Sequence, residues 1–269
     1  MGVRLLKVWV FVIVICSAAL VLKAQQPVVP ATVVDSQALT VLAQAVAALQ
    51  GAAPIVDVTL SGSVRRIAGS DDETGSAVFK AVANGSSMLT LNFASGTLNE
   101  VRTNSDKGPV GSWSGPDGAS HPSAYHNLFT DVGVFPTLLV AGFVKSSAVV
   151  SLVGPETQDG ANVLHLSAYQ QIPALSGNDS SLSQRLSQTE IFLDATTLLP
   201  HAIAFNIHPD DNSLLNIPVI VVFSDYRSVN GAQVPFHVQK SLNNTLALDL
   251  QLSSAAINTG VSASDFKVQ

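Results

Sequence analysis

From Ile55 onward, apolar and polar residues alternate with a period of two. Val56, Val58, Leu60 and Val64 alternate with Asp57, Thr59, Ser61 and Arg65. Successive side chains of an extended chain point to opposite faces, so this pattern predicts a half-buried strand. Residues 76–83 form a second strand, Leu89, Leu91 and Phe93 mark a third, and 98–103 a weaker fourth. After a break the pattern resumes at 148–153, 163–169, 189–194, 202–208, 217–225, 234–240 and 246–253. Turn chemistry separates these runs: an acidic loop at 69–75, Asn84-Gly85, a turn around Gly154, Pro155 and Gly160, Asn230-Gly231 and Asn243-Asn244. Counting about nine or ten of these eleven runs as antiparallel strands already gives more than a flat sheet usually holds without curling. The prediction is mainly β: one strongly curved, unclosed antiparallel sheet, with a two-sheet sandwich as the alternative. No period of 20–50 residues repeats, which argues against a solenoid or propeller.

Two segments break the alternation. Residues 36–50 carry Ala38, Leu39, Leu42, Ala45, Val46 and Leu49 at helical spacing, with Asp35 or Ser36 to cap the start. Gly51 and Pro54 end that helix. Residues 124–144 hold a cluster including Leu128, Phe129, Phe135, Leu139 and Phe143, which Gly133 and Pro136 cut into two short helical pieces. Both segments are expected to cover the concave face. The Gly-, Pro- and Ser-rich stretch 104–123 reads as a long loop, and 170–187 as polar and irregular.

The N-terminus has the form of a secretory signal. Arg4 and Lys7 precede an uncharged, largely apolar run over 8–22, and Leu22-Lys23-Ala24 offers a cleavage point. That run fits an h-region of roughly 7–15 residues and falls short of the roughly 20 that span a bilayer. The expected division is a signal over 1–24, a linker over 25–34 and a single domain over 35–269, periplasmic or otherwise exported. An uncleaved signal would instead leave a membrane anchor. The only cysteine, Cys16, lies within the signal and follows Ile15 rather than the small residue that a lipidated cysteine wants. A mature chain without cysteine has neither disulfides nor thiol chemistry. Cleavage removes three of the 13 basic residues and takes the net charge from -6 to -9, which excludes nucleic acid as a partner.

Chemistry is hard to find. Gly111-Ser112-Trp113-Ser114-Gly115 has Trp where a nucleophile elbow needs Ser. No Gly-x-Gly-x-x-Gly follows a strand, and no Walker loop appears. His121 and His126 are five apart and do not share a helix face. His208-Pro209-Asp210-Asp211 reads as a solvated turn after a strand, and Asp71-Asp72-Glu73 as a charged hairpin tip lacking calcium-ligand alternation. The sequence therefore predicts no catalytic residue, no metal and no cofactor. A hydrolase whose residues meet only in space is the weaker alternative.

The C-terminal half carries a recognisable pattern. Ile191-Phe192-Leu193-Asp194 is followed by Thr196, Thr197, Leu198, Leu199 and Pro200. Then come Phe223-Ser224-Asp225-Tyr226-Arg227, Val229-Asn230-Gly231 and Val234-Pro235-Phe236, with Asn258 and Phe266 near the end. Over residues 189–266 the chain resembles the LolA/LolB-like superfamily of periplasmic lipoprotein carriers of the bacterial envelope. The resemblance implies an unclosed half-barrel wrapped around helices, with an apolar cavity for a lipid, an acyl chain or a lipoprotein. Relatives that dock onto membrane-anchored signalling proteins imply the alternative, an interaction or sensor domain without a small ligand.

On this reading the cavity is lined from the sheet by Val58, Leu60, Leu89, Leu91, Leu164, Leu166, Ile203, Phe205, Val221 and Phe223. From the helices it is lined by Leu42, Val46, Phe135 and Leu139. Each sheet residue is apolar and alternates with polar or smaller neighbours. The other outcome is that the same side chains interdigitate into a dry core. Arg66 shares the parity of Val58 and Val64 and can bind an anionic head group or a carbonyl at the cavity mouth, unless the strand ends at Ile67 and leaves it solvated. Trp113 either packs onto the sheet or lines the site as a lid.

Overall fold

The structure, a computed structural model, describes residues 35–105, 108–130, 133–145, 148–170 and 178–268. The signal and the linker lie outside the described residues. The chain enters through helix α1 (Ser36–Gln50). Asp35 caps it, one carboxylate oxygen accepting from Ala38 N–H at 2.9 Å while the other accepts from Leu152 N–H at 2.8 Å. The cap therefore also ties the helix to a strand far along the chain.

A run of hairpins follows: β1 (Asp57–Ala68), β2 (Asp71–Val82), β3 (Ser87–Phe93), β4 (Gly96–Ser105), β5 (Gly108–Ser114) and the short β6 (Ser120–Pro122). A one-turn 3-10 helix (Tyr125–Phe129) and α2 (Pro136–Lys145) come next. The chain then forms β7 (Ala148–Gln158), β8 (Ala161–Gln170), α3 (Asn178–Ser187), β9 (Thr189–Asp194) and β10 (Pro200–Ile207). It closes with β11 (Ile217–Val229), β12 (Ala232–Leu242) and β13 (Thr245–Ile257).

All 13 strands belong to one antiparallel sheet, ordered β6-β5-β4-β3-β2-β1-β13-β12-β11-β10-β9-β8-β7. It is unclosed, with β6 and β7 at its edges, and it overturns the sandwich alternative. Every pair of adjacent strands is consecutive in sequence except at one seam, where β1 pairs with β13. At that seam an added Cβ on Gly62 would lie 2.2 Å from the Gln251 carbonyl, and the register shifts between Ser61 and Gly62. Glycine permits this backbone approach, and the bulge bends the sheet.

The seam is clasped at one end by Asp57, only 3% exposed. Its carboxylate accepts from Thr259 N–H at 2.8 Å, Thr259 Oγ1 at 3.2 Å and Gly260 N–H at 3.1 Å. Burial pushes this carboxyl's pKa up, but the hydrogen bonds from Thr259 and Gly260 outweigh it and hold the value below the ordinary one.

Several sequence expectations need correction. The acidic stretch is no loop: the turn occupies only Gly69 and Ser70, and Asp71 to Gly75 continue β2, where Asp72 meets the Arg65 guanidinium at 2.6 Å. Residues 104–123 hold β5 and β6, which form one end of the sheet. The turn between β7 and β8 lies at Asp159-Gly160, whereas Gly154 is a bulge inside β7. Residues 178–187 form α3 rather than irregular chain. The segment 124–144 does divide into two short helical pieces as expected, with Pro136 opening the second, since Pro suits a first helical position.

One face of the sheet carries the main core. A continuous cross-strand row runs Arg66–Leu248–Lys240–Val221–Ile203–Ile191–Leu166. A second runs Leu60–Phe79–Leu89–Glu100–Trp113. On this face α1 packs against β12, β7 and α2, and α2 also contacts β7. The 3-10 helix contacts β5 and α3. Asn127 fastens it to the end of β10, its amide nitrogen donating to the His208 carbonyl and its oxygen accepting from His208 N–H, both at 2.8 Å.

Candidate functional site

The helices cover the sheet unevenly. Under α1, on the β7–β12 side, the face is filled: Leu166, Ile191 and Ile203 are fully buried together with Leu42 of α1. On the β1–β5 side α1 does not cover the sheet in the same way, and the face, bordered by α2, holds cavities.

One cavity of about 240 Å³ has an apolar floor of Phe79, Leu89, Leu91, Val134, Val221, Leu242 and Leu248, with Arg66, Glu100, Arg102 and Lys240 in its walls. A second, about 190 Å³, shares Arg66, Leu89, Leu91 and Glu100 with the first and adds Leu98 and Trp113. A third, about 300 Å³, shares Phe79, Ser87, Arg102 and Gly133 with the first and adds Phe135, Leu139 and Phe143 from the α2 side. Shared walls set the three side by side in a row, here called the groove, from Trp113 near the sheet edge to α2. Their sizes sit at or just below the lower end of small-ligand pockets, roughly 300–1,000 Å³. Gly133 borders two of the cavities at a positive φ of 57°, and an added Cβ would stand 3.2 Å from the Phe79 ring. A side chain there would press into the wall between them.

The expected lining residues divide between these two environments. Leu89, Leu91, Val221, Phe135 and Leu139 line the groove. Leu42, Val58, Leu60, Leu166, Ile203, Phe205 and Phe223 are buried in the packed core, and the half-buried Val46 and Leu164 pack against it. None of these nine borders the three cavities. Arg66 lies within β1, which continues to Ala68, so it is not left beyond the strand end. Trp113 is 46% exposed, stacks on His121 with ring centroids 4.4 Å apart, and stands over the second cavity beside Arg66.

Arg102 and Lys240 are groove residues that the sequence reading did not single out. The signal was present: Lys240 continues the core-facing parity of Val234, Phe236 and Val238, and Arg102 that of Leu98 and Glu100.

The opposite face shows a different arrangement. Ser224 Oγ lies 3.2 Å from His237 Nδ1, and His237 Nε2 lies 2.9 Å from Asp249 Oδ1. Since a carboxylate only accepts, Nε2 donates to Asp249. Serine, histidine and aspartate stand in line, with Ser224 and His237 as cross-strand neighbours and Asp225, the next residue, at a positive φ of 53°. None of the groove cavities reaches these three residues. His208, expected in a solvated turn, is instead 2% exposed. Its Nδ1 donates to the Leu215 carbonyl at 2.9 Å, and desolvation holds its pKa below the ordinary histidine value. Among the described residues no group of three or more His, Cys, Asp or Glu side chains could hold a metal ion.

No protein-family model matches the chain, and no curated protein matches it. Solved structures do. A domain assigned as an outer membrane lipoprotein-sorting protein from Vibrio parahaemolyticus aligns over 86% of this chain and 96% of its own, at 12% identity and a TM-score of 0.53. A DUF1329 family protein from Desulfovibrio piger covers 86% of this chain and 99% of its own, at 12% identity and a TM-score of 0.56. A LolA superfamily protein from Nitrosomonas europaea covers 86% of this chain and 97% of its own, at 12% identity and a TM-score of 0.53. The resemblance read from residues 189–266 thus extends to the fold of most of the chain, which is that of LolA-superfamily structures.

Proposed function

We propose that this chain is an exported, non-catalytic binding protein that shelters an acyl chain of a lipid or lipoprotein in the groove between β1–β5 and the segment from Gly133 to Phe143. The observation that carries the reading is the uneven cover of the core face: the half under α1 is packed, while the other half, bordered by α2, keeps adjacent, apolar-floored cavities. A chain folding only to be stable has no reason to leave Leu89, Leu91 and Phe79 along empty space, since an unfilled void forfeits dispersion contacts. The fold shared with a lipoprotein-sorting domain and a LolA superfamily protein supports the same reading. Export follows from the signal over 1–24, with cleavage after Ala24 releasing a single domain over 35–269. No helix among the described residues is long and apolar enough to cross a membrane.

Native mass spectrometry of the mature protein purified from the cell envelope tests the reading. Co-purifying lipid, or saturable binding of a fluorescent fatty acid, is the expected result. A clean apo mass with no probe binding overturns it and favours an envelope interaction domain that docks onto a membrane-anchored protein.

A further inference from the structure

The groove is apolar along its floor but not at its middle. Three of the chain's 13 Lys and Arg residues, Arg66, Arg102 and Lys240, line the 240 Å³ cavity, against a single carboxylate, Glu100. Such clustering is notable in a chain of net charge -6. Arg66 and Lys240 both stand opposite Leu248, one on each side, in the core-facing row. Their backbones are therefore two strand spacings apart, about 10 Å, so two long side chains can converge on one group between them. Arg65 is committed to Asp72, Arg227 to Asp225, and Arg185 to the Ser213 and Leu214 carbonyls, while Lys240 and Arg102 have contacts of their own. Arg66 has no hydrogen-bond or ion-pair partner among the described residues, although Glu73 faces it across β2. A half-buried guanidinium on an apolar wall is a poor stabiliser and a good anion receptor, because its planar fork pairs with carboxylate or phosphate.

We infer that the groove takes a single-chain anionic amphiphile, its carboxylate or phosphate head held between Arg66 and Lys240 and its acyl tail lying over Leu89 and Leu91 toward Phe135. This rests on the acyl-binding reading above and adds the charge and position of the head.

Trp113 provides the reporter. The chain has two tryptophans, and the other, Trp9, belongs to the signal. Fluorescence titrations of the mature protein with dodecanoate, dodecyl phosphate, dodecanol and inorganic phosphate separate the possibilities. Both dodecyl anions are expected to bind about tenfold or more tighter than dodecanol, the scale of one charge-assisted hydrogen bond. The tighter of the two anions assigns the source, a free fatty acid or a phospholipid-type head. Raising the salt concentration is expected to shrink the preference. Arg66→Gln combined with Lys240→Gln is expected to bring the anion-to-alcohol ratio of affinities toward one, with circular dichroism checking the fold. Equal affinity for dodecanol and the anions at low salt overturns the anionic head and leaves acyl binding standing. Inorganic phosphate binding as tightly as dodecyl phosphate also overturns it, because the tail would then contribute nothing. Failure of all four to bind overturns the acyl reading itself. The salt and alcohol comparisons need no variant, so a double variant that does not fold leaves the proposal testable.

Discussion

The two halves of the sheet's core face are made of the same residue types and do opposite things. Around β8–β10, Leu166, Ile191 and Ile203 interlock beneath α1 with no measurable exposure. Around β2–β4, Phe79, Leu89 and Leu91 sit in the same alternating pattern, on strands of similar length, beside open space. The difference lies in the cover rather than in the sheet. Helix α1 lies over β7 and β12, while the β1–β5 side is bordered by the short 3-10 helix and the turn at Gly133. A sheet face offers apolar surface, and whether that surface becomes core or container depends on what is laid across it.

Substitutions can break this contrast, and the largest effect is expected on the filled side. Leu166→Ala leaves a cavity that interlocked neighbours cannot close, so urea unfolding is expected to show a loss of roughly 2–5 kcal/mol. A loss near zero would mean that this half is as loose as the other. Next comes enlargement. Ile203→Trp overpacks the filled half and is expected to cost about 1–3 kcal/mol or more. Leu91→Trp instead fills the groove: stability is kept, and binding of a fluorescent fatty acid falls. Equal destabilisation by the two would erase the distinction.

The seam between the halves gives a pH test. Asp57 has a depressed pKa, so the folded chain binds fewer protons than the unfolded one in the acid range. Its stabilisation is complete above the ordinary Asp value of about 3.9 and is lost as pH falls through the lower folded value. Asp57→Asn is expected to cost about 1–3 kcal/mol at neutral pH through broken hydrogen bonds, and to flatten the stability profile below about pH 4. An unchanged acid slope would remove Asp57 from that role. The smallest effect is reserved for Leu89→Ala, half-buried beside the groove, at about 1 kcal/mol or less. A cost as large as that of Leu166→Ala would show the groove to be filled in solution.

Alternation made the sheet legible. Parity alone places Leu89, Leu91, Val221 and Arg66 on the core-facing side, and Asn230-Gly231 and Asn243-Asn244 are turns with positive φ. What stayed hidden has physical causes. β5 and β6 are written in Gly, Pro and Ser, and their ladder lies at the sheet's edge, where no alternating apolar row is required. α3 is polar, with Leu182 itself 39% exposed, so it shows little amphipathic stripe. Within the site, parity told which face Leu166 and Leu89 share but not that one would be covered by α1 and the other left open. Cover is set by where the chain runs between strands, which periodicity does not encode. Arg102 and Lys240 were legible by parity, but a lone cation at a strand end is easily taken for a solvated one.

The pairing of β1 with β13 has a consequence in time. Val58 meets Ile257 across nearly 200 residues of intervening chain. Every other strand pair can zip with its sequence neighbour as it emerges, but this one must wait until the last strand exists. Two hairpin stacks can form early, each with one exposed inner edge, and the sheet becomes continuous only when those edges meet. Long-range closure of this kind slows folding, and the waiting edges are open to strands of other molecules. Joining the C-terminus to the start of α1 with a linker and opening the chain between α2 and β7 would make every strand pair a pair of sequence neighbours, because β6 and β7 are the two sheet edges, and refolding of the permuted chain is expected to be faster.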